Sequence, residues 1–257
     1  MKDSLGDRMK EYERETRAVL PRGAWTVLRV DGRAFHSYTR GLARPYDEKL
    51  MSDMDKVAEA LLREIDGAVV AYTQSDEVSV LVQDFSSENF MPWMGGVIAK
   101  WQSVGASLAT ATLFSRRMDE KMPLFDGRVF SLPSTTEACN YLIWRQRDTL
   151  RNAVSMAARA EFSHQQLLGK SVPEMKEMLL ANGVDFDSYP LGFRQGRMST
   201  RVVEMKEFSY VDKRTGDEVF TSGLRTSVVT EPAPFFSATE GVLLDLLPQM
   251  PTEILVG

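Results

Sequence analysis

Two short stretches constrain this chain more than anything else in it: Val27–Tyr38 (VLRVDGRAFHSY) and Ala71–Val82 (AYTQSDEVSVLV). Each joins an apolar, β-rich run to carboxylates at a turn, Asp31 in the first and Asp76 with Glu77 in the second. Leu28 and Val30 alternate with Val27 and Arg29, while 69–72 and 78–82 are apolar runs bounded by polar turn residues, which predicts three strands. Between them, Asp47–Ile65 spaces Leu50, Met51, Met54, Val57, Ala58, Leu61, Leu62 and Ile65 at three- and four-residue steps, with Gly67 at the C-cap position. That is a helix. Strand, helix, strand, tight turn, strand is a split βαβ pattern.

If the first two strands lie side by side, Asp31 and Asp76–Glu77 meet over one edge of the sheet. Clustered carboxylates repel one another and call for a cation, and an all-oxygen ligand set suits Mg²⁺, which completes its shell with water and substrate phosphates. Two such ions about 4 Å apart activate an attacking oxygen and stabilise a leaving one. The same residues also read as a β-turn at Asp31-Gly32 and a solvated hairpin tip at Ser75-Asp76-Glu77.

At 257 residues the chain can form one large domain or two small ones. Acidic residues outnumber basic ones 36 to 31, which argues against a general nucleic-acid coat but not against a local basic groove. Cys139 is the only cysteine, so internal disulfides and thiolate zinc sites are excluded. No signal peptide and no apolar run of about twenty residues is present, giving the expectation of a soluble cytoplasmic protein with no membrane partner. Gly169-Lys170-Ser171 resembles the end of a phosphate loop, but the motif requires glycine where the chain has His164. With only His36 and His164, no histidine-rich metal site can form.

Residues 1–20 read as a charged helical lead-in stopped by Pro21-Arg22-Gly23, and Asp84–Glu88 is a polar link. Pro92 introduces a helix with Val97, Ile98, Trp101, Val104, Leu108 and Ala111 on one side and Lys100, Ser103, Ser107 and Thr110 on another. That second stripe suits a solvated face or a phosphate-facing wall. Phe125-Asp126-Gly127-Arg128 reads as a turn leading into a strand at 129–132. Ser134–Glu137 has capping-box spacing and opens a long helix to about Phe162, with Arg145, Asp148, Asn152 and Arg159 on one face. Ser163–Gln166 and Ser171–Glu174 open two short helices. Gly192–Arg197 (GFRQGR) reads as a basic loop, Met198–Phe208 and Glu218–Val229 as strands about a turn at Lys213–Asp217. The tail, with Pro232, Pro234, Pro248 and Pro251, is irregular except near Val242–Leu247.

In order, VLRVDGR, TQSDE, FDGRVFSLPS and WRQRD…N resemble the motifs of the tRNA-His guanylyltransferase family, 3′-to-5′ nucleotide-adding polymerases. The likeness runs from about Thr26 to Arg197, roughly two-thirds of the chain. It implies an α+β fold: a polymerase-palm, ferredoxin-like antiparallel sheet with helices on one face, plus a helical and β-hairpin C-terminal portion. Residues 1–133 would be the catalytic domain, and 134–257 would pack on it, contacting tRNA and mediating oligomerisation.

Carried over by motif, the resemblance places two Mg²⁺ ions on Asp31, the Gly32 carbonyl and Asp76, with Glu77 beside them in a supporting catalytic role. Asp31, Gly32, Arg33, Ala34, Phe35, His36, Arg44, Asp47, Ser75, Asp76, Lys100 and Ser103 would contact the nucleotide, and Arg128, Arg145, Asp148 and Asn152 the tRNA. The chain departs from the family in three places. Arg44 stands where members carry lysine, which keeps charge but not shape, and Gly95-Gly96-Val97 replaces basic residues before Lys100. After WRQ-x-D, the members that select tRNA-His read His-Ile-Asn-Asn, whereas this chain reads Leu150-Arg151-Asn152-Ala153. That points to the guanylyltransferase-like branch, associated with template-dependent repair of truncated tRNA 5′ ends. The implied partners are tRNA, ATP, GTP and other nucleoside triphosphates, and further copies of the chain in a tetramer. A palm-type nucleotidyl cyclase and a non-catalytic tRNA-binding protein are the rival readings.

Overall fold

Period-two alternation sorts the side chains of the first strand, β1 (Trp25–Gly32), between two different cores. Leu28 and Val30 enter one, Trp25 and Val27 the other, so Arg29 and Asp31 fall on the face of Val27. The computed structural model describes residues 4–87, 89–118, 121–236 and 240–250; Met1 to Asp3 of the lead-in, Glu88 and Pro251 lie outside them.

In chain order the elements are α1 (Ser4–Glu15), β1, α2 (Phe35–Tyr38), α3 (Glu48–Glu64), β2 (Ala68–Gln74), β3 (Glu77–Gln83), α4 (Ile98–Arg117), β4 (Phe125–Leu132), α5 (Thr135–Glu161), α6 (His164–Leu167), α7 (Val172–Ala181), α8 (Leu191–Gln195), β5 (Arg197–Val211), β6 (Glu218–Pro232) and α9 (Glu240–Leu246). The strands form one antiparallel six-stranded sheet in the order β4-β1-β3-β2-β5-β6. This is the expected α+β class. One detail of the pattern differs: β3, not β2, lies beside β1. The two-residue turn after β2 folds β3 back into the gap left by the split βαβ unit, and Asp31 then pairs with Glu77 in register.

Helices α3 and α4 cover the first face, with Met54, Val57, Leu61, Trp101 and Leu113 in that core. Asp47 caps α3 by accepting from the Leu50 amide at 2.8 Å. Along α4 the buried residues are Trp101, Gly105, Ala109 and Leu113; of the predicted side, Ile98, Val104 and Leu108 also pack against this core, while Ala111 faces solvent. Gly105 permits the approach, since a Cβ there would lie 2.7 Å from Leu28 Cδ2. A second correction concerns Asp126-Gly127-Arg128, which is part of strand β4 rather than a turn. Gly127 is small because the α4 backbone leans on it: a Cβ would sit 2.5 Å from the Gln102 carbonyl oxygen.

The C-terminal portion completes the same sheet and closes its second face. Helix α5, capped by Ser134, contributes Ala138, Tyr141 and Leu142 to the core containing Trp25, Tyr72 and Phe236. The Trp25 indole N–H donates to the Thr135 hydroxyl at 3.1 Å. The far half of α5 packs with α7 and α8 in a third core around Val154, Leu179 and Phe193. Both short serine boxes form as expected, with Glu174 accepting from the Ser171 amide at 2.8 Å and Gln166 from that of Ser163 at 2.9 Å. Strands β5 and β6 pair along their whole length, and their outer half leaves Val203, Met205, Phe220 and Leu224 exposed.

Candidate active site

The carboxylates gather where β1 ends and the β2–β3 turn begins. Glu77 stands opposite Asp31, and the Gly32 amide donates to the Asp76 carbonyl at 3.2 Å. A Cβ on Gly32 would fall 2.7 Å from Asp76 Oδ2 and 2.3 Å from the Phe35 ring, so only glycine lets the Asp76 carboxylate close against the β1 terminus. Of the four non-glycine residues with positive φ among the described residues, two lie here, Ala34 at 52° and Ser75 at 47°, one in each turn flanking the acids. Backbone strain of this kind, about 1–3 kcal/mol each, concentrates at functional sites.

The electrostatics follow from that crowding. Burial raises the pKa of Asp76 to about 6, with Asp31 and Glu77 adding to the rise against opposing hydrogen bonds from its own backbone and Ser75. Asp31 is also raised, by burial and then by Asp126, while Arg128, Arg29 and Arg145 pull it down. Glu77 is raised by burial against the pull of Arg145. A cradle of two half-buried carboxylates and a bare glycine backbone, all hard oxygen donors, fits a divalent cation such as Mg²⁺. Among the described residues, no cluster of three or more His, Cys, Asp and Glu side chains adds to this pair.

Glu77 and Arg145 form a buried fork, with Arg145 Nε and Nη2 at 2.8 and 2.7 Å from the two carboxylate oxygens. Glu77, expected in a supporting role beside the acids, is thus tied to a guanidinium, and Arg145, expected to contact tRNA, has its side chain buried in this pair. Asp148 is likewise engaged, accepting from Arg145 at 3.0 Å, from Asn152 at 3.3 Å and from Arg151.

Beside the acids opens a cleft of about 350 Å³. His36, Arg44, Asp47, Ser75 and Asn152 of the expected residues line it. Pro45, Tyr46, Leu50, Met51, Met156 and Phe193 form its apolar and aromatic wall, with Thr39, Gln74, Thr149, Arg159 and Arg197 adding polar groups; the Tyr46 and Phe193 rings are 4.9 Å apart. Flat apolar walls with a few polar groups are the make-up of a small-molecule site. The sequence reading missed Tyr46, Met51, Met156 and Phe193, which come from three separate segments. The GFRQGR stretch is not a loose basic loop. It is α8 and the start of β5, with Phe193 in the cleft wall and Arg197 buried against Asp55. Gly196, at φ 81°, passes against the Tyr72 hydroxyl.

Four other expected nucleotide contacts fall elsewhere. Phe35 is buried beneath the turn, with its ring 5.3 Å from that of Phe125 and 4.8 Å from that of Tyr38, so it anchors the Asp31–His36 run instead of meeting a base. Arg33 is exposed, and its amide ties that run to the Leu124 carbonyl at 2.8 Å. Lys100 and Ser103 are exposed on the early turns of α4, outside the cleft lining, and the Ser103 hydroxyl donates to the Ala99 carbonyl.

Comparison with known proteins places this geometry. The family model for tRNAHis guanylyltransferase matches residues 6–133. A bacterial tRNA(His) guanylyltransferase-like protein, solved in complex with ATP, is 31% identical, with a TM-score of 0.80 over 95% of this chain and 99% of that one. The chain belongs to the tRNA(His) guanylyltransferase family. Its members are nucleotidyltransferases, and this chain is one of them. A bacterial tRNA(His) guanylyltransferase-like protein solved in complex with GTP matches at 30% identity with a TM-score of 0.79, over 95% of this chain and 99% of that one. The yeast enzyme from Saccharomyces cerevisiae is more distant, at 25% identity and a TM-score of 0.63 over 74% of this chain and 91% of that one. Among sequences, the probable tRNA(His) guanylyltransferase of Bos taurus is 28% identical over 85% of this chain and 80% of its own length. No helix among the described residues is long and apolar enough to cross a membrane.

Proposed function

We propose that this nucleotidyltransferase is a 3′-5′ polymerase that adds nucleotides to the 5′ end of tRNA, restoring truncated ends against the opposite strand as template. The observation that carries the reading is the closure of Asp76 onto Gly32 beside Asp31, at the mouth of a cleft walled by Tyr46 and Phe193. Two Mg²⁺ ions would be held by Asp31, the Gly32 carbonyl and Asp76. When bound, they supply Lewis-acid activation of the attacking hydroxyl and charge neutralisation on the phosphates. In the cleft, Tyr46 and Phe193 exclude water around a base, and Arg44 faces the phosphates as a forked cation. Ser75 and His36 stand between base and acids.

The reaction has two entries. A 5′-monophosphate is first adenylylated with ATP, releasing pyrophosphate; the 3′-hydroxyl of an incoming nucleoside triphosphate then attacks the activated 5′-phosphate and AMP leaves. A 5′-triphosphate end releases pyrophosphate instead. Leu150, in place of the histidine of tRNA-His-selecting members, supports the repair role over a single guanylate addition. Residues 1–133 carry the acids, and 134–257 complete the cleft through Met156 and Phe193 and contribute tRNA contacts and assembly into a homo-oligomer, a tetramer by family likeness. The setting is the cytoplasm.

The test pairs 5′-monophosphorylated tRNA lacking its first nucleotide with tRNA-His lacking its extra G, each given Mg²⁺, ATP and all nucleoside triphosphates. Template-matched extension that stops at full length is expected. Addition confined to tRNA-His overturns the repair role, and cyclic nucleotide made without RNA overturns the polymerase. Asp31→Ala and Asp76→Ala each abolish addition while circular dichroism stays unchanged; retained activity in either variant removes it from the metal site.

A further inference from the structure

Of the four tryptophans in the chain, Trp25, Trp93 and Trp101 are buried, whereas Trp144 leaves 52% of its surface in water. It nevertheless packs against three neighbouring side chains. The Arg145 guanidinium lies 4.5 Å from its ring centroid, that of Arg29 lies 5.9 Å away, and the Tyr141 ring is 5.8 Å off. Both arginines reach Glu77, Arg145 at 2.7 Å and Arg29 at 4.0 Å. The indole therefore rests on a cationic layer fixed to the carboxylate of Glu77, the residue opposite Asp31 in register, while the rest of it meets solvent. Beside it on β4, Arg128 stands opposite Arg29 in register. Its side chain is 59% exposed, and its contact with Asp126, at 3.9 Å, is loose, so its charge is available.

Strand order gives the arrangement its meaning. The cleft lies toward β2 and β5, through Gln74, Ser75 and Arg197; the Trp144 patch lies toward β1 and β4, through Arg29 and Arg128; Asp31 and Asp76 stand between. A reaction that joins two nucleotides at one pair of acids needs a place for each. The walled cleft suits a free nucleotide. The patch lies outside the cleft lining and leaves Trp144 and Arg128 more than half exposed, which suits a partner too large to enclose: the end of a duplex, whose last base pair offers a face to stack while the stem stays in water. We infer that Trp144, backed by Arg145 and Arg29, is the platform on which the terminal base pair of the RNA duplex stacks, with Arg128 on an adjacent backbone phosphate. This positions the 5′ end over Asp31, and it rests on the polymerase reading above.

Because the other tryptophans are buried, acrylamide quenching of tryptophan emission reports on Trp144. A short acceptor-stem duplex bearing a 5′-phosphate should shield that emission, and GTP alone should leave it quenchable. Binding of the same labelled duplex is followed in parallel by anisotropy. Trp144→Ala should raise the KM for RNA about tenfold, as expected for loss of a base stack, with the KM for GTP unchanged; Trp144→Phe should recover most of it. Arg128→Ala should lower the salt slope of RNA binding by about one. Shielding by GTP, RNA binding that leaves Trp144 quenchable, or equal defects in the Phe and Ala variants would each overturn the platform while leaving the polymerase reading intact. If the duplex does not bind at all, the polymerase reading fails and the platform falls with it.

Discussion

The carboxyl of Asp76 sits where burial, and then Asp31 and Glu77, disfavour its charge, and its pKa of about 6 has consequences of opposite sign for stability and for activity. In the unfolded chain the group titrates near 3.8. The folded state thus binds this proton more tightly, and the stability from Asp76 is full below about pH 4 and lost as the pH rises through about 6. Asp76→Asn should therefore raise the melting temperature of the Mg²⁺-free protein at pH 7.5, read by calorimetry, even as it abolishes addition; a lower melting temperature would contradict the burial argument. A metal ligand must be ionised, so wild-type Mg²⁺ affinity should fall on acidification below about pH 6, measurable by titration calorimetry. Arg145 makes the opposite kind of prediction. Its removal strands the buried Glu77 charge, and Arg145→Ala should cost about 3–5 kcal/mol in urea unfolding. Asp31 and Asp76 were legible because turn carboxylates after β runs have a local signature. The Glu77–Arg145 fork was not, because its partners are 68 residues apart and Arg145 also carries the nearby, more obvious Asp148.

At the scale of elements, what the sequence hides is the neighbour that an element meets. Helix α3 is written in its own spacing, with Asp47 at its cap and Leu61 and Leu62 in its core stripe. The fit of α4 against β1 and β4 depends on absent side chains, at Gly105 and Gly127, and an absence carries no period. FDGR reads as a turn by composition, yet it is a strand because β4 must run flush beneath the Gln102 backbone. Gly127→Ala should push α4 off the sheet and cost about 1–3 kcal/mol as an overpacked contact, checked by urea titration. An unchanged midpoint would show that α4 can shift freely. The same reasoning explains why Tyr46 and Phe193 escaped notice: each is an ordinary aromatic in its own segment, and only the packing of α8 beside the start of α3 makes them one wall.

For the whole molecule, the shared sheet makes residues on both sides of position 133 one mechanical body, with α3 and α4 on one face and α5 on the other. The three cores stop at the base of the β5–β6 hairpin; its outer half, from Val203 to Thr226, adds no buried residue. Replacing the segment between Glu204 and Arg225 by a short glycine-containing turn should shift the melting temperature of the isolated subunit by only a few degrees, measured by calorimetry in dilute solution. A large loss would mean that the outer hairpin supports the cores. The hairpin tip at Thr215-Gly216 is exposed and outside all three cores, whereas the chain's only thiol, Cys139, is buried against the sheet with Trp25 and Leu142. A cysteine introduced at Lys213 would thus be the one sulfur open to maleimide chemistry, with no native residue to delete first. The fold comes with a ready handle for tethering a single subunit or attaching a dye, set apart from the acids whose work it would report.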